Sequence, residues 1–113
     1  MRMQHDTKVE GHTVIVTFSG EIDLEHSPAA RDVLLEGLKK GRTMVVDMSD
    51  VNVIDSSGVA SLLEAFQLAR NKGMEFYIAA VTEPVFRVFK LARLETVFEI
   101  IDSVGDVMDK TET

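Results

Sequence analysis

The run Met44-Val45-Val46-Asp47-Met48 does most to limit the folds open to this chain. It is short, almost wholly apolar and bounded by turn signals, the signature of a central parallel strand covered on both faces. Such a strand cannot stand alone. It requires neighbouring strands in the plane and helices above and below, and the rest of the chain supplies both in alternation.

Thr13-Val14-Ile15-Val16-Thr17-Phe18-Ser19 is β-branched and alternating, a half-buried strand closed by Gly20-Glu21-Ile22-Asp23. Gln4 to Val9 pairs with it as a hairpin through Glu10-Gly11-His12. Ser27-Pro28 opens a first helix, with serine as cap and proline at the first helical position, where its missing N–H costs nothing. Ala30, Val33, Leu34 and Leu38 form its apolar stripe, and Gly41 stops it. A second helix starts at Ser56 and ends near Gly73; Val59, Leu62, Leu63 and Phe66 recur at i, i+3, i+4, i+7 and face the core. Glu75 to Ala80 is a strand. Thr82-Glu83-Pro84 starts a third helix with Val85, Val88, Phe89 and Ala92 inward, and Phe86 projects away from that stripe. Val97 to Ile101 is the last strand, and Ser103 caps a terminal helix with Asp106 in its first turn. Residues 110–113 read as a frayed end.

This order predicts an α/β fold: one domain over residues 1–113, with its core about 4–109, an N-terminal hairpin, about four helices and a mixed sheet with right-handed crossovers. With 113 residues and 45% of them hydrophobic, the chain can bury one core. Twelve Lys and Arg against 19 Asp and Glu give a net charge of −7, which disfavours nucleic acid and anionic membrane surfaces and permits a basic protein partner. There is no cysteine, so disulfides, iron–sulfur clusters and thiol catalysis are excluded. No apolar signal core follows Met1, and no run reaches the length of a membrane span, so a cytoplasmic location is expected.

The segment with chemical content is Val45 to Ala60, read as a buried strand, a short loop, and Asp55-Ser56-Ser57-Gly58 at the mouth of a helix. Unpaired N–H groups and the positive end of the helix dipole converge there, which suits a phosphate. Any of Asp55, Ser56 or Ser57 could cap the helix. Three cap-competent residues in succession exceed what one cap needs, and Gly58 lets another backbone approach closely. A phosphate on Ser56 would add about −1.5 to −2 charges that the helix end partly compensates and a docked partner would not. A second face of the same helix bears Ala60, Ser61, Glu64 and Gln67, small or polar residues that allow a partner to come close. The acidic stretch Gly20-Glu21-Ile22-Asp23-Leu24-Glu25-His26 follows a strand end, where ligands of α/β sheets gather. Its consecutive carboxylates read as turn formers and solvated charge rather than as a metal site. Histidines 5, 12 and 26 provide no evident base for a serine nucleophile, and there is no Gly-x-Ser-x-Gly elbow. Neither Gly-x-Gly-x-x-Gly nor Gly-x-x-x-x-Gly-Lys occurs. No enzyme activity and no cofactor are expected.

Taken together, Gly20-Glu21-Ile22-Asp23, the proline-started first helix, Asp55-Ser56-Ser57-Gly58-Val59-Ala60, Val85 to Leu91, Leu94 and Val97-Phe98-Glu99-Ile100 resemble a STAS domain of the anti-sigma-factor antagonist type, from about Val14 to Met108. The resemblance implies a bacterial transcription regulator that works by partner switching. Its unphosphorylated form would bind a serine-kinase anti-sigma factor and free a sigma factor. Phosphorylation at Ser56 would end the interaction, and a PP2C-type phosphatase would reset it. Partner binding would fall to Asp23, Asp55, Ser57, Gly58, Ala60, Ser61 and Glu64, in a monomer or weak dimer. Two other roles fit the same resemblance: an accessory subunit of an ABC lipid-transport complex, or a component of a stressosome-like scaffold. One departure stands out. The family often has glycine near the end of the third helix, where this chain has Ala92-Arg93, so a different turn before Leu94 is expected.

Overall fold

The computed structural model describes residues 3–111. Nine elements follow one another: β1 (Gln4–Glu10), β2 (Thr13–Ile22), α1 (Ser27–Gly37), β3 (Thr43–Ile54), α2 (Ser56–Asn71), β4 (Glu75–Ala79), α3 (Glu83–Leu91), β5 (Glu99–Ile101) and α4 (Val104–Thr111). The strands form one five-stranded sheet in the order β1-β2-β3-β4-β5. β1 is antiparallel to β2, and all other neighbours are parallel. The mixed α/β sheet with an N-terminal hairpin and four helices is therefore observed. α4 continues to Thr111, so of the expected frayed end Lys110 and Thr111 are helical, while Glu112 and Thr113 lie outside the described residues.

The strands' period of two decides which face each residue serves. Val14, Val16 and Phe18 of β2 and Met44, Val46 and Met48 of β3 point into one core with Leu34 of α1, Leu62 of α2 and Val85 and Phe89 of α3. Val45 and Ala79 point the other way and meet Val107 of α4. Three helices thus serve one face and α4 the other. Four phenylalanines close the far end of the main core edge to face, with ring centroids 5.9 Å apart for Phe66–Phe76, 5.5 Å for Phe66–Phe98 and 5.3 Å for Phe89–Phe98.

Several boundaries differ from expectation. β3 does not stop at Met48 but runs to Ile54, so the expected loop before Asp55 is strand. Its second half pairs with an extension of β2, Ser19 with Asp50, Gly20 with Val51, Glu21 with Val53 and Ile22 with Ile54. Register shifts between Thr17 and Ser19 and between Gly20 and Glu21 place extra residues on the β3 side. These are bulges, which twist and re-aim a strand end. Ser27 does not cap α1: it is buried within the first turn, and its N–H reaches the Asp23 carbonyl at 2.8 Å. α1 ends at Gly37, before Gly41. Ala92 is exposed rather than inward, and β5 starts at Glu99 rather than Val97. Ser103 and Asp106 cooperate at the start of α4, the Ser103 N–H donating to Asp106 Oδ2 at 3.3 Å.

The turn before Leu94 is the usual one despite the missing glycine. Leu94 N–H donates to the Phe89 carbonyl at 2.8 Å and Arg93 N–H to the Lys90 carbonyl at 3.0 Å, the two bonds of a Schellman cap. α2 ends in the same way, with Met74 N–H on the Ala69 carbonyl at 2.8 Å, but there the left-handed residue is Gly73 (φ 72°). At α3 the left-handed residue is Arg93 (φ 58°), where a side chain is strained. Arg93→Gly should therefore raise stability. Relief of strain worth about 1–2 kcal/mol outweighs a backbone-entropy loss of about 0.4–1 kcal/mol. Urea denaturation checks this; an unchanged or lower midpoint would contradict it.

Candidate functional site

The end of β3 delivers Asp55 to the first turn of α2, and its carboxylate organises everything around it. Oδ1 accepts the N–H groups of Ser57 (3.0 Å) and Gly58 (3.1 Å) and the Ser57 hydroxyl (2.6 Å). Oδ2 accepts the N–H of Leu24 (3.0 Å), which lies in the loop between β2 and α1. The Asp55 N–H itself donates to the Ile22 carbonyl at 3.3 Å. Of the three cap-competent residues, Asp55 is the cap. The hydrogen bond from the Ser57 hydroxyl, helped by the N–H groups of Gly58, Ser57 and Leu24, outweighs partial desolvation and holds the Asp55 carboxyl below its ordinary range.

Gly58 makes the close approach to β2 possible. A Cβ at this position would stand 2.5 Å from the Ile22 carbonyl oxygen and 2.7 Å from Ile54 Cγ1. The backbone that comes close is thus the chain's own, at the last residues of β2 and β3. Gly58 and Ser61 are both buried, so neither presents its side to solvent on the outer face of α2. Ser61 Oγ lies 3.1 Å from the Ser57 carbonyl and 3.3 Å from the Ser27 carbonyl, so this hydroxyl joins α2 to the start of α1.

Ser56 occupies the first helical position of α2 and is exposed. Its hydroxyl has no hydrogen-bond partner among the described residues, whereas the Ser57 hydroxyl beside it is committed to Asp55. Ala60 and Glu64 follow at i+4 and i+8 on the same helix face. Ala60 is exposed; Glu64 is engaged with Arg31 of α1, whose guanidinium reaches both carboxylate oxygens at 2.7–2.9 Å. This two-pronged pair raises Arg31 and holds Glu64 below its usual range.

The β2–α1 loop forms the other wall. Asp23 Oδ1 receives the His26 N–H at 3.1 Å and lies 2.6 Å from His26 Nδ1. Partial desolvation pushes the Asp23 carboxyl up, but these bonds from His26 outweigh it and leave the carboxyl below its ordinary range. The acidic stretch after β2, whose carboxylates read from sequence as turn formers, thus shapes the loop that holds Asp55. Leu24, at the tip, is 75% exposed, an apolar side chain presented beside the helix mouth. Neither Leu24 nor Arg31 was identified from sequence. A leucine among carboxylates carries no periodic signal, and the partner of Arg31 lies 33 positions away. Among the described residues no three of His, Cys, Asp and Glu are arranged to hold a metal ion. Phe86 is partly exposed on α3, with Lys90 Nζ 5.9 Å from its ring centroid.

A family model described as the STAS domain matches residues 4–107. The chain is 24% identical over 100 residues to the anti-sigma-B factor antagonist of Bacillus subtilis, covering 88% of this chain and 92% of that one. It is 25% identical over 114 residues to the anti-sigma F factor antagonist of Paenibacillus polymyxa, covering 99% and 97%. Among solved structures, an anti-sigma factor antagonist from Mycobacterium paratuberculosis superposes with a TM-score of 0.87 at 20% identity, over 99% of this chain and 96% of that one. The Bacillus cell fate determinant SpoIIAA in its phosphorylated form superposes with a TM-score of 0.74 at 17% identity, over 97% and 99%.

The depressed carboxyl of Asp55 fixes a sign. A group whose pKa is lowered in the folded state stabilises the fold above its ordinary range, and that contribution is lost as pH falls through the folded value. Asp55→Ala should cost about 1–2 kcal/mol at neutral pH, and the gap from wild type should narrow in acid. Urea titrations at neutral pH and at a pH below the carboxylate range test this; a gap that holds constant would contradict it. Gly58→Ala should destabilise at both.

Proposed function

The chain belongs to the STAS domain family, and from that premise we propose that it is an anti-sigma factor antagonist controlled at Ser56. In this reading the unphosphorylated protein docks on a serine-kinase anti-sigma factor and releases the sigma factor. The kinase transfers phosphate from ATP to the Ser56 hydroxyl, and the phosphorylated form no longer docks. A PP2C-type phosphatase restores the serine. The chain is then substrate and switch rather than catalyst. The names of the relatives in Bacillus and Paenibacillus support the role, and the phosphorylated SpoIIAA structure supports a phosphate on this fold.

The observation that carries the reading is a division of labour between adjacent serines. The Ser57 hydroxyl is held by Asp55 at 2.6 Å, while the hydroxyl of exposed Ser56 has no hydrogen-bond partner among the described residues. A phosphate on Ser56 would displace nothing that holds the domain together, and the positive end of α2 would offset part of its charge. Ionised Asp55 close by adds negative potential. A partner surface able to cover this end must therefore match either the neutral or the phosphorylated form, and the same surface cannot suit both. Docking would use Asp23, Asp55, Ser57, Ala60 and Glu64, with Leu24 as an apolar anchor and Gly58 and Ser61 setting the shape from beneath.

The test is binding and phosphorylation with a cognate kinase-type anti-sigma factor. Ser56→Ala should bind and resist phosphorylation, and Ser56→Asp should bind at least about tenfold more weakly while its circular dichroism is unchanged. Ser57→Ala should lose stability yet still accept phosphate. Retained binding by folded Ser56→Asp would sink the switch. Capture of a transporter ATPase by wild type and Ser56→Asp alike would favour the accessory subunit of an ABC lipid-transport complex.

A further inference from the structure

β1 is an edge strand: its inner side pairs with β2 along all seven residues, and its outer side has no strand neighbour among the described residues. The hairpin that makes it has a two-residue loop, Gly11-His12, with positive φ (61°) at Gly11 as a II′ turn requires. In such a hairpin the residues closing the loop, Glu10 and Thr13, exchange both backbone bonds. Alternation then directs the backbone groups of Glu10, Lys8, Asp6 and Gln4 to β2 and leaves those of Val9, Thr7 and His5 pointing outward.

We propose that this edge pairs antiparallel with the β1 of a second copy, about a two-fold axis at Thr7, giving a weak dimer with a continuous ten-stranded sheet. The charge pattern selects the register. With the axis at Thr7, Asp6 stands opposite Lys8 of the second copy and Lys8 opposite its Asp6. Both fall at non-hydrogen-bonded positions, where side chains approach closest. With the axis at Asp6 or at Lys8, like charges face each other across it. An axis at Val9 pairs Lys8 with Glu10 but leaves most of the strand without a partner. The Thr7 register alone overlaps all seven residues and places His5 over Val9, which is 46% exposed in the single chain.

It supplies about six backbone hydrogen bonds, two at each of the three outward-facing positions. Lys8 already meets Glu10 of its own strand at 2.8 Å, so it would lie between two carboxylates. Edge strands commonly carry charge to prevent such pairing. Here the signs alternate so that two copies attract in one register. An interface of a single strand is small, so the dimer should be weak and concentration-dependent. β1 is separated by β2 from β3, whose end delivers Ser56, and each copy keeps its own helix mouth.

Sedimentation velocity over a wide concentration range tests the pairing, with circular dichroism to verify folding. Wild type should dimerise reversibly. Asp6→Lys and Lys8→Asp should each weaken the dimer about tenfold, because each sets like charges face to face. The double swap Asp6→Lys with Lys8→Asp should restore it. Three results would each overturn the proposal: wild type monomeric throughout, a dimer indifferent to the single changes, or a double swap that fails to restore association.

Discussion

Everything at the end of β3 depends on one carboxylate. Asp55 receives two N–H groups of its own helix, a hydroxyl from the same turn, and an N–H from a loop 31 residues earlier. It thereby closes the helix N-terminus and fixes the distance between α2 and the β2–α1 loop. A neutral cap would satisfy the helix alone. An ionised one makes charge-assisted bonds to all four donors, so the loop carrying Asp23, Leu24 and His26 becomes part of the same rigid corner. Gly58 is the steric complement of this arrangement: with any side chain there, α2 could not lie against the Ile22 carbonyl, and Asp55 would lose its reach to Leu24.

The element order, the antiparallel hairpin and the inward stripes, apart from Ala92, were legible because they rest on periodicity and on punctuation by Gly and Pro. The second half of β3 was not. Ser49-Asp50 and Asn52 are turn formers in isolation, and Asp47 does accept the Ser49 N–H at 3.0 Å as it would in a turn. What overrides them is pairing with Ser19 to Ile22, which no local window contains. Bulges reconcile the two: local turn chemistry survives as extra residues inside a continuing strand. Ser61 misled for a related reason. A serine on a helix reads as surface, but two backbone carbonyls, one from another helix, satisfy its hydroxyl in the core. The place of Ser56 at the start of α2 was readable since Asp-Ser-Ser-Gly is contiguous, whereas Leu24 and Arg31 enter the candidate site only through tertiary contacts.

The helix ends give the converse lesson. Arg93 occupies a backbone region that glycine would fill without strain, yet the two cap hydrogen bonds and the burial of Phe89 and Phe98 on either side hold the turn. A missing glycine signal is therefore weak evidence against a Schellman turn when the flanking residues are core. The packing sets the backbone, and the residue at the turn bears a local cost of about 1–2 kcal/mol.

These features bear on why a regulatory charge could sit here without unfolding the domain. Structural use of a hydroxyl and regulatory use of a hydroxyl compete, because modifying a bonded group removes the bond. In this corner the competing demands fall on different residues: Asp55 supplies the cap, Ser57 and Ser61 spend their hydroxyls on the fold, and Ser56 spends nothing. The helix dipole lowers the cost of an added phosphate at the first helical position. The neighbouring carboxylates would add to the negative charge that such a phosphate presents to a docked surface. Under the proposed reading, the separation between the hydroxyls that hold the fold and the one that is modified is what would allow phosphorylation to change binding while leaving stability nearly untouched.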